Sequence, residues 1–122
     1  MTLTAILIVA GRFLLGLMFI IAGVRNFIHL SERFDLKTNY GFVLPKPLIV
    51  VGFATQLIGG ISIAFGLWPF GGALALICFV IPATAFYHNL FMFTGKDRDP
   101  HLYLVTVNAA LCGAFLLVMA LS

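Results

Sequence analysis

Residues 6–27 read ILIVAGRFLLGLMFIIAGVRNF, an apolar run with Arg12 near its middle. A membrane-spanning helix needs about 20 predominantly apolar residues, and this stretch, taken from Leu3 to Val24, supplies them. An arginine facing hydrocarbon at that depth costs roughly 2.5 to 3.5 kcal/mol on insertion scales, so Arg12 must face protein or water. Ala5, Arg12, Gly16 and Gly23 fall within about 40° of one another at 100° per residue. The arginine therefore shares a stripe of small residues on which a second helix can approach closely.

The rest of the chain supplies such helices. Of its 122 residues, 62% are hydrophobic and 9% charged, with a mean hydropathy of +1.15, which no soluble domain of this size can bury within itself. Four runs of spanning length follow one another: Leu3 to Val24, Leu48 to Leu67, Phe70 to Leu90 and Leu102 to Leu121. They consume most of residues 1–122, which form a single transmembrane domain with no room for a soluble catalytic module. The predicted fold is an all-α, four-helix antiparallel bundle in the membrane. The first run lacks the basic n-region of a cleaved signal peptide and is expected to remain as a span. Of the seven lysines and arginines, six lie between the first and second runs or between the third and fourth. An even number of spans puts both of those loops on one side, which the positive-inside rule makes cytoplasmic, leaving the termini outside.

Between the first two spans, residues 26–47 read NFIHLSERFDLKTNYGFVLPKP, too polar to cross a bilayer. Phe27, Leu30 and Phe34 recur at i, i+3 and i+7 with Glu32, Arg33 and Lys37 on other faces, the pattern of a short amphipathic helix lying in the interface as a lid. Pro45 and Pro47 end it and turn the chain back. The second span carries Gln56, with Gly52 and Gly60 four residues to either side. The third opens at Trp68-Pro69, contains Pro82, which frees the Cys78 carbonyl, and ends in the polar cluster Thr84, Tyr87, His88 and Asn89. Residues 94–101, TGKDRDPH, are expected to form a solvated turn. The fourth span has Asn108 as its one strongly polar residue.

Depth decides which polar groups can meet. At 1.5 Å per residue, Gln56 lies about 12 Å, Asn108 about 10 Å and Arg12 about 18 Å from the loop-bearing surface. An arginine can snorkel along a bundle interior, so Arg12, Gln56 and Asn108 are expected to form one buried network. None of the three is an acid, and the charge of Arg12 must be met by carbonyls, water, an anionic ligand, a lipid or another subunit. His29, His88 and His101 gather near the loop-bearing face, but their spacing matches no metal motif and no metal is expected. Cys78 and Cys112 sit at similar depth without a C-x-x-C arrangement, as packing residues. No phosphate-binding loop, nucleophile triad or carboxylate pair is present, and the basic loops suit anionic lipid headgroups rather than nucleic acid.

Several short motifs resemble the DoxX family of small four-helix bacterial inner-membrane proteins, in order over nearly the whole length. They are Gly11-Arg12-Phe13 and Gly23-Val24-Arg25-Asn26-Phe27 in the first span, Gly41 with Pro45 and Pro47 in the loop, Gln56, Gly59-Gly60 and Gly66-Leu67 in the second, His88 at the end of the third, and Asn108 followed by Gly113 to Leu117 in the fourth. Gln56 stands where many members carry a glutamate, and Val107 where many carry a lysine. The resemblance implies a place beside membrane redox chemistry: relatives occur as a subunit of thiosulfate:quinone oxidoreductase, or are associated with quinol oxidation or thiol-oxidant defence.

The function expected on these grounds is a membrane subunit of a quinone-linked oxidoreductase or respiratory assembly, without a covalently bound cofactor, in the bacterial inner membrane. Its bundle mouth, lined by Arg12, Gln56, His88 and Asn108 with Tyr87 near, would hold a quinone head or an anionic substrate. Arg12 would stabilise negative charge and His88 would exchange protons near neutrality. The alternative is a non-catalytic accessory subunit docking through its Gly/Ala stripes to a larger membrane complex; a transporter of small anions is weaker, because four spans make a minimal pathway. Whether the chain is an enzyme stays open at this point. Its expected partners are membrane lipids and a larger membrane complex or further copies of itself.

Overall fold

The computed structural model describes residues 1–88 and 95–122. Five α-helices appear among them: α1 (Leu3–Ile28), α2 (Leu30–Phe34), α3 (Lys46–Phe65), α4 (Pro69–Tyr87) and α5 (Arg98–Ala120), the last preceded by a 3-10 turn at Gly95–Asp97. Four of them are long and apolar enough to cross a membrane, as the hydropathy pattern requires. The end of the predicted third span at Leu90, Asn89 of the polar cluster and Thr94 of the third connection lie outside the described residues.

Two boundaries differ from expectation. α1 runs past Val24 to Ile28, so Phe27 belongs to it and the interfacial helix shrinks to the five residues of α2. α5 starts at Arg98, within the stretch expected to be a turn. Pro100 does not prevent this, because the first-turn amides of a helix have no intrahelical partner to lose.

α1 packs on α3, α3 on α4 and α4 on α5. Glycines set the closeness of the first contact: a Cβ on Gly16 would lie 2.5 Å from the Gly60 carbonyl oxygen and 2.5 Å from the Ala64 amide nitrogen, and one on Gly23 would meet Leu57 at 3.0 Å. The small-residue stripe of α1 is thus the face it turns to α3. Phe19 of α1 meets Phe115 of α5 at 5.2 Å between ring centroids. Together with Ile63, Leu76 and Val118 they form the core, where Phe115, Ile63 and Leu76 are wholly buried.

The α3–α4 turn is built from backbone necessity. Gly66 ends α3 with φ 70° and Trp68 enters α4 with φ 54°, both left-handed, a conformation that costs a non-glycine residue. The Ser62 hydroxyl donates to the Leu67 carbonyl at 2.5 Å, with the Trp68 carbonyl 2.9 Å away, and holds the turn. At the other end, the loop after α2 is pinned to α4: the Asn39 amide donates to the Phe86 carbonyl at 2.7 Å and its side chain to the Ala85 carbonyl at 3.2 Å. Tyr40 and Phe42 stack on each other over this junction, and the Phe86 ring meets both edge-on. These bonds occupy end-of-helix carbonyls that α4 cannot satisfy itself, and they bring α2 and its loop over the mouth between α3 and α4.

Candidate functional site

Beneath that lid lies a cavity of about 700 Å³, within the range of small-molecule sites. Its body is apolar, formed by α3 from Leu48 to Thr55 and by α4 from Ala75 to Phe86. Several of these wall residues, among them Leu48, Val51, Cys78 and Pro82, are exposed, so the cavity is a slot open sideways between the two helices at membrane height. The polar groups Asn26, Arg33, Tyr87 and His88 gather at its loop-side end, with Asn108 on the α5 wall.

A chain of amides leads from the buried interior to this end. Gln56, 7% exposed, accepts at Oε1 from Asn26 Nδ2 at 2.8 Å, and Asn26 Oδ1 accepts from Arg33 Nε at 3.0 Å. The bond to Asn26 fixes the Arg33 side chain through Nε and leaves its two terminal nitrogens unbonded to any described residue, available to an oxygen-bearing ligand. On the opposite wall, Asn108 Nδ2 donates to Thr84 Oγ1 at 2.8 Å, whose own hydroxyl donates to the Val80 carbonyl at 2.8 Å. The carbonyl of Cys78, freed by Pro82, belongs to the same lining helix.

His88, the C-cap of α4, places Nδ1 2.9 Å from His101 Nδ1 on the first turns of α5. Burial, and then the neighbouring His101, push the His88 imidazole below its ordinary 6.5; both effects disfavour a positive charge there.

The expected network of Arg12, Gln56 and Asn108 does not form. Gln56 bonds Asn26, Asn108 bonds Thr84, and Arg12 reaches neither. Its guanidinium instead lies near the α3 C-cap, where a Cβ on Gly66 would sit 3.8 Å from a terminal nitrogen. The reason is directional. Helical side chains lean toward their own N-terminus, so Arg12 tilts away from the loop side, and the Gly16–Gly60 contact sets its turn of α1 opposite the end of α3. There it meets the partial negative charge of a helix C-terminus. Among the described residues it makes no hydrogen bond or ion pair.

Of the candidate site residues, the structure brings Tyr87, His88 and Asn108 to one cavity, sets Gln56 one hydrogen bond behind it, and places Arg12 elsewhere. Asn26 and Arg33 are polar residues that the cavity adds at its loop-side end, and Thr55 lines its α3 wall. Spacing alone does not single them out, although Asn26 falls within the glycine-rich motif ending the first span and Arg33 lies on the polar face of the lid. The three histidines do not converge: His29 pairs with Glu32 at 3.8 Å, and among the described residues no three His, Cys, Asp or Glu side chains could hold a metal. Cys78 and Cys112 are both free thiols.

A bundle of four helices long and apolar enough to cross a membrane, with a laterally open, polar-ended cavity, defines a small multi-pass membrane protein. The DoxX family profile matches residues 7–89, well over half of the chain, and the chain belongs to the DoxX family. No curated protein and no solved structure matches it.

Proposed function

We propose that this chain is a cofactor-free subunit of a quinone-linked oxidoreductase or respiratory assembly in a bacterial inner membrane, with its charged loops in the cytoplasm, and that it seats a quinone in the α3–α4 slot. The observation that carries this reading is the shape of the cavity: an apolar body open to lipid, closed at one end by Asn26, Arg33, Tyr87 and His88. An isoprenoid tail enters such a slot sideways from the bilayer, and the head's two carbonyl oxygens meet N–H donors. From Ala75 to Tyr87 the wall runs roughly 18 Å along α4 at 1.5 Å per residue, enough for a head and several isoprene units. Arg33 takes the charge-stabilising part expected of Arg12, because it is the arginine that faces the cavity.

The test is mild-detergent purification from quinone-containing membranes with mass spectrometry of what accompanies the protein. Gly52→Leu is the decisive variant. A Cβ at this cavity-lining glycine meets only the Phe79 ring at an ordinary 3.5 Å, so the fold tolerates the side chain while its outer carbons fill the slot. Quinone copurifying with the wild type and with Arg12→Ala, and lost about tenfold or more with Gly52→Leu, is the expected result. Quinone absent from the wild type, or equally abundant in Gly52→Leu, would sink the proposal.

A further inference from the structure

One pair of side chains at the cavity is not needed merely to seat a quinone. His88 and His101 stand Nδ1 to Nδ1 at 2.9 Å, with ring centroids 5.1 Å apart. Two neutral imidazoles make this contact only if one donates from Nδ1 and the other accepts at Nδ1, which forces opposite tautomers on them. With His88 as donor, its Nε2 carries a lone pair and is bonded to no described residue, and His88 lines the cavity whereas His101 is not part of the lining. Because His101 belongs to the first turns of α5, the pair links the cavity to the loop-side surface through a single hydrogen bond.

We infer that His88 and His101 act as a one-proton relay, through which an amphiphile bearing an ionisable hydroxyl gives up its proton in the cavity and is held there as the oxyanion. The step balances without any oxidant. The ligand O–H bond breaks and its electron pair stays on oxygen, while His88 Nε2 takes the proton. The Nδ1–H bond of His88 breaks as the Nδ1–H bond of His101 forms. His88 ends neutral in its other tautomer, and His101, already protonated on Nε2, ends as the imidazolium. The oxyanion is left in the same cavity as the terminal nitrogens of Arg33, whose charge-assisted bonds favour it.

The charges around His88 agree with this assignment. Among the described residues, the titratable and charged groups sharing its cavity are Arg33 from α2 and Cys78 and Tyr87 from α4; the lining residues of α1 and α3 include none, and no described carboxylate lines it. A proton that stopped on His88 would stand in a half-buried wall that already holds the Arg33 cation. On α5, His101 is preceded by Arg98 and Asp99, which are exposed and of opposite sign, so the proton rests more easily one ring further out.

The proposal rests on the reading of the slot as an amphiphile site, and the test separates the two. The probes are a nitrophenol carrying an alkyl tail, whose phenolate is coloured, and its methyl ether, which has no proton to give. Bound to the purified wild-type protein, the phenol should ionise about one pH unit below its value in the same detergent, a tenfold change in the equilibrium. His101→Gln, which keeps a hydrogen-bonding side chain but cannot hold the proton, should lose most of that shift, as should His88→Gln. The ether should bind wild type and His101→Gln alike, which also shows that the variant is folded. An unchanged phenol shift in His101→Gln, with ether binding intact, overturns the relay alone; failure of the ether to bind the wild type removes the amphiphile site and the relay with it.

Discussion

Replacing Gly16 by alanine tests the contact on which the whole placement of polar groups depends. The added Cβ would lie 2.5 Å from both the Gly60 carbonyl oxygen and the Ala64 amide nitrogen, and 2.7 Å from the Ala64 Cβ, whereas ordinary contacts begin at 3.4 Å. Two of these neighbours are backbone atoms and no side-chain rotation relieves them, so α1 and α3 must move apart by about 0.9 Å. A radial gap of 0.5 to 1 Å forfeits a quarter to a half of each atom–atom attraction, and overpacking of this kind costs about 1 to 3 kcal/mol. For a chain of this size that lowers the melting temperature by about 4 to 12 °C. The control is Gly11→Ala on the same helix, where an added Cβ meets nothing within 4 Å and the change is neutral or favourable by up to about 1 kcal/mol. Circular dichroism melts of the two variants in one mild detergent check the contrast. A Gly16→Ala protein that melts with the wild type, or a Gly11→Ala protein that loses as much, refutes the argument that backbone approach at Gly16 sets the α1–α3 distance.

Two further outcomes follow from the polar groups. Asn26→Ala removes the donor to Gln56 and leaves the amide oxygen of this 7%-exposed residue without its partner, which should cost about 1 to 3 kcal/mol and free the Arg33 side chain; the melting temperature measures the first effect, and loss of the quinone expected under the proposed function measures the second. His88 has its folded-state pKa below the ordinary 6.5, so the folded protein resists a proton that the unfolded chain accepts. Its contribution to stability is then complete above 6.5 and is lost as the pH falls from 6.5 toward the depressed value. Melting temperatures between pH 8 and pH 5 should decline on the acid side, and the decline should flatten in His88→Gln.

The register of α1 on α3 explains why the site was only partly legible in the sequence. Tyr87, His88 and Asn108 could be assigned to one mouth from helix direction and depth alone, since all three lie toward the loop-bearing end of helices that neighbour one another. Arg12 could not, because residue depth measures where a Cα sits and not which way a long side chain leans. A depth of about 18 Å from the loop-bearing surface says nothing of direction; the neighbour becomes definite, Gly66, once Gly16 is seated on Gly60 and Ala64. The pairing of Asn26 with Gln56 and Arg33 was hidden for a related reason: it joins residues 30 and 7 positions apart across the break at His29 that converts one expected amphipathic helix into the end of α1 and the short α2.

The sequence by itself determined that the chain crosses the membrane four times, that the small residues of its first span form a packing face, and that a charge in that span must turn away from lipid. Those conclusions follow from transfer energies and helical periodicity, which are local properties of each run. Only the tertiary structure decided that the arginine lining the cavity is Arg33 and not Arg12, and that two histidines 13 positions apart share a hydrogen bond. Both depend on how far one helix slides along the next, and that is set by where backbones without side chains can touch.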